Sequence, residues 1–401
     1  MPFVPDHRVA ILSAVRTPIG RYGGALRSVP ATRLGVLAAR AAIDRSGLAP
    51  TEIDEVLMGH GIQAGAGQNP ARQVLRGAGV PDAIGAATVN MVCGSGLKAI
   101  LLGSSLIRSG DFHRLLVGGM ESMSLAPYLL DGGMRWGSPP GPHALDDAMQ
   151  RDSLLDAYDE HELMGLTGER VAKKFGLSRR DVDTFGMRSH RRAAQAVAAG
   201  TFASELVPVP AGVLPGHPGL DHDEGPRGDT TLEGLARLKP AFAPDGILTA
   251  GNSSKLSDGG AALVLASAEE VRQRNLRPIG WLHSSAEGGV HPRDVMESPI
   301  PTVREHLSRV GLAPADFDRV EHNEAYASAS IAVQRTFGFS DEQFNVNGGA
   351  IALGHPIGAS GARIVVTLVQ ELVRSKKNLG LATLCMGGGN GLSVIVDRTG
   401  L

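Results

Sequence analysis

Two cysteines occur in the 401-residue chain, Cys93 and Cys385, and each is followed by glycine-rich backbone. Cys93 stands in Val89-Asn-Met-Val-Cys-Gly-Ser-Gly-Leu-Lys98, between a strand expected over 88–92 and a helix expected over 97–108. A cysteine in that position faces the positive end of a helix dipole, which favours the nucleophilic thiolate. Gly94 and Gly96 permit a sharp turn and close approach by a substrate. A nucleophilic cysteine needs a base, and His355, held between Gly354 and Pro356 in a stiff loop, is the candidate. Thr383-Leu-Cys-Met-Gly-Gly-Gly-Asn-Gly391 ends an apolar strand with Cys385 and then offers free backbone N–H groups. Such a turn can stabilise an oxyanion while the cysteine moves a proton. In Glu321-His-Asn-Glu-Ala-Tyr326, a polar cluster entering a helix, Asn323 is a candidate hydrogen-bond donor.

Elements that could carry these groups alternate along the chain. Strands are expected over 9–15, 55–59 and 115–118, and helices over 32–46 and 70–77, an α/β pattern. From about 121 to 249 the texture changes to Met, Pro, Gly and charged residues around two amphipathic helices. One covers 163–175, and the other starts at Ser178 with a capping-box-like Asp181. This stretch reads as an inserted domain, with α/β texture resuming at 261–266. A weak internal repeat pairs Val89-Asn90, a Gly-rich turn, a helix and Leu115-Leu-Val-Gly-Gly119 with a later copy. That copy is Val346-Asn347, the turn holding His355, a helix over 359–375 and the segment 382–389. Two such units would pack as a pseudo-dimer with their turns close together.

Composition narrows the class. Hydrophobic residues at 42% and charged residues at 20% are those of a globular protein, and 401 residues exceed one compact core. A formal charge of −2 gives no reason to expect nucleic acid or an anionic membrane as partner. No run approaches the ~20 apolar residues of a membrane span, and residues 1–8 lack a signal-peptide apolar core. The final Arg398-Thr-Gly-Leu401 is not a Ser-Lys-Leu address, so a cytoplasmic location is the expectation. Two cysteines make neither a disulfide framework nor a structural zinc site.

The segments around Cys93, Asn323-Glu-Ala-Tyr326, Gly354-His-Pro356 and Cys385-Met-Gly-Gly-Gly389 together resemble the signature segments of thiolases, in family order. Ala14-Val-Arg-Thr-Pro-Ile-Gly20, Gly118-Gly-Met-Glu-Ser-Met-Ser124, Leu238-Lys-Pro-Ala-Phe242 and Thr249-Ala-Gly-Asn252 extend the resemblance over essentially the whole chain. It implies an α/β thiolase-like fold, two similar βαβ-type halves in a five-layered pseudo-dimer with an inserted loop domain. Boundaries are expected at 1–120 for the N-terminal half, 121–249 for the coenzyme A-binding loop domain, 250–276 for the return, and 277–401 for the C-terminal half. It also implies acetyl-CoA and coenzyme A as substrates, no tightly bound cofactor or metal, and a homotetramer built as a dimer of dimers.

By position, the resemblance makes Cys93 the acyl carrier and His355 its activator. Asn323, through a water, would share an oxyanion site with His355. Cys385 would move the α-proton, and the N–H groups of Cys93 and Gly387 would line a second oxyanion site. Arg227 and Ser254 match coenzyme A contacts, and Met164 would close the acyl pocket. The activity implied is reversible condensation of two acetyl-CoA, with longer-chain 3-ketoacyl-CoA thiolysis as the alternative. A non-catalytic acyl-CoA-binding protein and a decarboxylating ketoacyl synthase fit less well, because all four catalytic side chains, Cys385 among them, are present. Leu163 before Met164, Lys255 in place of a small residue and His322 before Asn323 depart from the family pattern, which bears on chain length.

Overall fold

The computed structural model describes residues 8–138, 140–158, 161–214 and 216–401, so residues 1–7 of the charged N-terminal segment lie outside the described residues. The chain opens with β1 (Val9–Arg16), α1 (Ala31–Ser46), β2 (Glu55–Gly59), α2 (Pro70–Gly77), β3 (Gly85–Val89), α3 (Ser95–Ser109) and β4 (Arg114–Ser122). A long excursion carrying α4 (Met164–Lys174) and α5 (Arg179–Ala198) precedes β5 (Ser257–Ser267). The remainder is β6 (Gly280–Gly289), α6 (Pro299–Val310), β7 (Arg319–His322), α7 (Ala327–Phe337), α8 (Ile357–Ser375), β8 (Leu379–Met386) and β9 (Asn390–Asp397).

These strands, with the short strand Gly20–Arg21 beside β5, form a ten-stranded mixed sheet in the order β7-β8-β9-β6-β1-β5-β4-β2-β3. The order repeats. β2 lies parallel to β4 as β7 lies parallel to β8, and β5 and β9 continue each half antiparallel. The halves meet where β1 runs antiparallel to β6, from Val9 opposite Leu282 to Ile11 opposite Gly280.

Alternation along the strands decides which layer each residue feeds. Ile11, Leu263 and Leu265 point to one face with Ala382, Leu384 and Val394, and there α3 and α8 pack against each other between the half-sheets. Ala10, Val264 and Met58 point the other way, under α1 and α2. Val320, Leu381 and Ile395 face α6 and α7. Helix, half-sheet, helix pair, half-sheet and helix make five layers. The central position of α8 explains its composition, since a helix buried on all sides must be apolar almost throughout. The excursion is tied to β1 by a buried ion cluster, in which Arg16 Nε meets Glu205 at 2.5 Å and Nη1 meets Asp223 at 2.7 Å. Ser178 caps α5 in a capping box with Asp181.

Two sequence expectations require correction. The strand expected over 88–92 ends at Val89, and Val92–Gly94 form a 3₁₀ turn. Side chains capture the backbone there: Val92 N donates to Asn90 Oδ1 at 3.0 Å, Met91 N to Ser95 Oγ at 2.9 Å, and Ser95 Oγ to Val92 O at 2.7 Å. The later copy of the repeat is shortened too. Val346 and Asn347 lie in a turn, and a single parallel bridge from Phe344 to Val320 stands where β3 pairs with β2. Asn345 replaces the ladder, accepting from His322 N at 2.8 Å and donating to His322 O at 2.9 Å.

Candidate active site

Backbone conformation aims Cys93. Val92, a β-branched residue, adopts φ 49, a conformation that costs of order 1–3 kcal/mol and persists only where surrounding bonds impose it. The side-chain bonds of Asn90 and Ser95 impose it here, turning the thiol off the end of β3 toward the C-terminal half. Cys93 is half-buried among Ile62, Met123, Met149 and Ile357. Burial pushes its thiol up to about 12, against N–H donation from Gly387 and from its own amide. The favourable dipole expected from the sequence is therefore outweighed by desolvation, and the resting group is a neutral thiol.

His355 sits just before α8. Gly354 before it has φ 119, and a Cβ there would lie 2.2 Å from Ser257 Oγ, so only glycine lets the loop pass. The His355 N–H donates to Lys255 O at 2.9 Å. Its ring tautomer follows from Ser360, whose single hydroxyl proton is directed at Pro356 O, 2.9 Å away. That hydroxyl is then an acceptor for His355 Nδ1–H at 2.6 Å. Nε2 is left with its lone pair facing Asn323 Nδ2 at 3.4 Å. Burial lowers His355 to about 3, so the imidazole is uncharged.

Asn323, fully buried just beyond β7, is anchored by its N–H to Thr383 O at 3.1 Å, and its Oδ1 has no hydrogen-bond partner among the described residues. Cys385, on β8, contacts Met296 Sδ through its sulfur at 3.6 Å. Burial and then the nearby Cys93 raise it to about 12. After β8 the chain turns through Gly387, Gly388 and Gly389, the last two with positive φ. A Cβ on Gly389 would meet Val290 O at 2.3 Å.

Cys93, His355, Cys385, Gly387, Ser254 and Met164 all border one cavity of about 260 Å³, walled by Leu154, Leu163, Phe242, Met296 and Tyr326. Asn323 reaches it through His355. Arg227 does not line it; it is exposed, and its backbone N–H donates to His190 Nδ1 at 3.2 Å. Three contributors were not singled out from the sequence. Ser360 is a serine five residues after the histidine, on the next turn of chain. Tyr326 is the last residue of the polar cluster that begins at Glu321. Glu121, fully buried, accepts from Gly61 N at 3.1 Å and Gly358 N at 2.9 Å and pairs with His60 at 3.1 Å, binding the end of β4 to the start of α8. A carboxylate between Met120 and Ser122 gives little sequence signal of such a role.

This arrangement suits covalent acyl transfer with proton movement by sulfur and imidazole. Among the described residues no group of three His, Cys, Asp or Glu could hold a metal ion, and no helix is long and apolar enough to cross a membrane.

Comparison with known proteins bears on the same residues. Residues 9–269 match the thiolase N-terminal domain and residues 276–398 the thiolase C-terminal domain. An acetyl-CoA acetyltransferase of Pseudomonas aeruginosa is 44% identical over 391 residues, covering 97% of this chain and 99% of that protein. The crystal structure of the Bacillus anthracis acetyl-CoA acetyltransferase superposes with a TM-score of 0.94 at 37% identity, over 98% of this chain and 99% of that one. The Acat5 thiolase from Ascaris suum, solved in complex with coenzyme A, gives 0.92 at 39% identity over 98% and 100%.

Proposed function

The chain belongs to the thiolase family and is an acyltransferase, and from that premise we propose reversible condensation of two acetyl-CoA to acetoacetyl-CoA and coenzyme A. The observation that carries this reading is that both thiols and the imidazole border one apolar cavity. In the proposed cycle His355 Nε2 takes the Cys93 proton as sulfur attacks the acetyl-CoA carbonyl. The tetrahedral oxyanion is held by the N–H groups of Cys93 and Gly387, each such donor being worth about 3–4 kcal/mol. Coenzyme A leaves with a proton, and acetyl-Cys93 remains. Cys385 then passes its own proton to His355 and, as the thiolate, removes the α-proton of a second acetyl-CoA. The enolate oxygen faces His355 and, through a water, Asn323. Its carbon attacks acetyl-Cys93, releasing acetoacetyl-CoA, and the Cys93 sulfur regains a proton from His355. Thiolysis is the reverse.

Coenzyme A is read as a substrate that enters past Ser254, with Arg227 outside the cavity at the nucleotide end. The loop domain is read as residues 121–249, the return as 250–276, and the flanking halves as 1–120 and 277–401. A cytoplasmic homotetramer is proposed as the working form. Two features support self-association. The edge strand β3 (Gly-Ala-Ala-Thr-Val) carries no charge to protect its open side. The excursion exposes Tyr128, Leu130, Leu145 and Trp136, the last to 86%.

The test is loss of acetoacetyl-CoA absorbance when coenzyme A is added to the purified protein. Turnover that depends on both substrates is expected. Absence of turnover with acetoacetyl-CoA and with longer 3-ketoacyl-CoA thioesters would sink the reading.

A further inference from the structure

Glu324 follows Asn323 in the chain, is fully buried, and receives donors from three separate segments. Ser189 Oγ, on α5, meets its Oε2 at 2.6 Å, and Ile351 N meets the same oxygen at 3.2 Å. Asn345 Nδ2 meets Oε1 at 2.8 Å. The other partners of these groups fix the direction of each bond. Ser189 Oγ accepts the Gly349 N–H at 3.1 Å, which leaves its own proton for Glu324. Asn345 Oδ1 accepts from His322 N, so the group facing Glu324 is the NH2. Glu324 is an acceptor in all three contacts.

Two of the three segments carry catalytic groups. Asn345 grips His322 by both backbone groups, and Asn323 comes next. Ile351 belongs to the short helix Ala350–Leu353, which leads through Gly354 into His355. Glu324 takes the N–H of Ile351 there. From the other side Lys255 Nζ holds the carbonyls of Ile351 at 2.6 Å and Ala352 at 3.1 Å, and Lys255 O takes the His355 N–H. A Cβ on Gly349 would lie 2.4 Å from Glu324 Cδ, so the carboxylate is seated against bare backbone. Asn323 Nδ2 and His355 Nε2, 3.4 Å apart, thus stand on segments joined by one carboxylate. Ser189 ties that carboxylate to the excursion, beside His190, which accepts the Arg227 N–H.

We propose that Glu324 is a positioning residue that sets the spacing of Asn323 and His355 and anchors both to α5. This rests on the condensation reading, in which those two groups face the enolate oxygen. Glu324 is not among the residues bordering the cavity, so it acts through them. Misplacing such groups by about 1 Å can cost on the order of 10²-fold in rate.

Glu324→Gln keeps the size and removes the acceptor set. With its oxygen toward Ser189 and Ile351, the amide sets NH2 against the Asn345 NH2; turned over, its NH2 meets two donors. In the full chain, assayed well below its denaturation midpoint, kcat for condensation is expected to fall at least ~10-fold, while KM for acetyl-CoA moves less than ~3-fold. Combined with Asn323→Ala, the loss should be at least ~10-fold smaller than the product of the two single losses, because both act on one geometry. Independent structural effects would multiply. Ser189→Ala, which removes one donor, should lower kcat at least ~3-fold, and it decides by the same readouts if Glu324→Gln does not fold. A kcat within ~2-fold of wild type, a change in KM alone, or losses that multiply overturns the proposal. Wild-type turnover with unchanged variants overturns this inference alone, and absence of wild-type turnover overturns the condensation reading with it.

Discussion

A thiol and an imidazole that are both buried rest uncharged, because the interior disfavours either ion, and their pair becomes reactive only by internal proton transfer. Burial raises Cys93 to about 12 and lowers His355 to about 3. Loss of the base by protonation therefore belongs to pH values near the lower figure, and ionisation of the thiol to values near the upper. Neither group changes charge between about pH 5 and pH 9, so Cys93 acetylation should show no limb from this pair in a rapid-quench profile over that range. Ser360 holds the tautomer that makes this transfer possible. Ser360→Ala is expected to lower kcat by at least ~10-fold with little change in KM, since it touches the base and not the substrate. The two cysteines should separate cleanly. Cys93→Ala should abolish both acetyl adduct and turnover. Cys385→Ala should still yield an acetyl adduct on the Cys93 peptide while synthesis of acetoacetyl-CoA collapses, because only the second step needs the α-proton moved.

Elements hold these groups through a few buried polar ties. Glu121 joins the end of β4 to the first turn of α8 by accepting from Gly61, Ile62 and Gly358, and it pairs with His60. Removing one member of such a buried set leaves orphaned donors and an uncompensated partner. Glu121→Ala should cost about 3–5 kcal/mol, read as a fall in the denaturation midpoint with an unchanged m-value, and Glu121→Gln should cost less. The 3₁₀ turn Val92–Gly94 shows the same logic at smaller scale. Side-chain bonds from Asn90 and Ser95 end β3 early and set the angle of Cys93. Strand periodicity alone carries that turn two or three residues too far into the sheet.

Across the molecule, the cavity between the excursion and the C-terminal half sets substrate size. It measures about 260 Å³, and Met164 at the start of α4 forms part of its wall. An open channel would gain roughly 0.8 kcal/mol for each added CH₂ buried. A closed one should instead show catalytic efficiency falling steeply beyond about four or five acyl carbons. The closed case is expected, to be measured as kcat/KM for thiolysis across 3-ketoacyl-CoA lengths. Higher efficiency on 3-ketohexadecanoyl-CoA than on acetoacetyl-CoA would show that the wall yields.

Local chemistry was legible in the chain itself. Glycine at positions that admit no Cβ, a cysteine before a helix, a histidine held between Gly354 and Pro356, and period-two strands are written in short stretches of sequence. So were the fold class and the halves that repeat it, since β2, α2 and the capped start of α5 depend on neighbours within a few residues. What only the tertiary structure decided depends on groups far apart in sequence. Desolvation is a property of everything packed around an atom, so the neutral state of Cys93 could not be read from its helix. The tie from Glu121 to Gly358, and the meeting of Lys255 with His190 and the Ile351 carbonyl, join residues 237, 65 and 96 positions apart. No local pattern records such contacts, because they exist only once the two half-sheets have closed on α3 and α8.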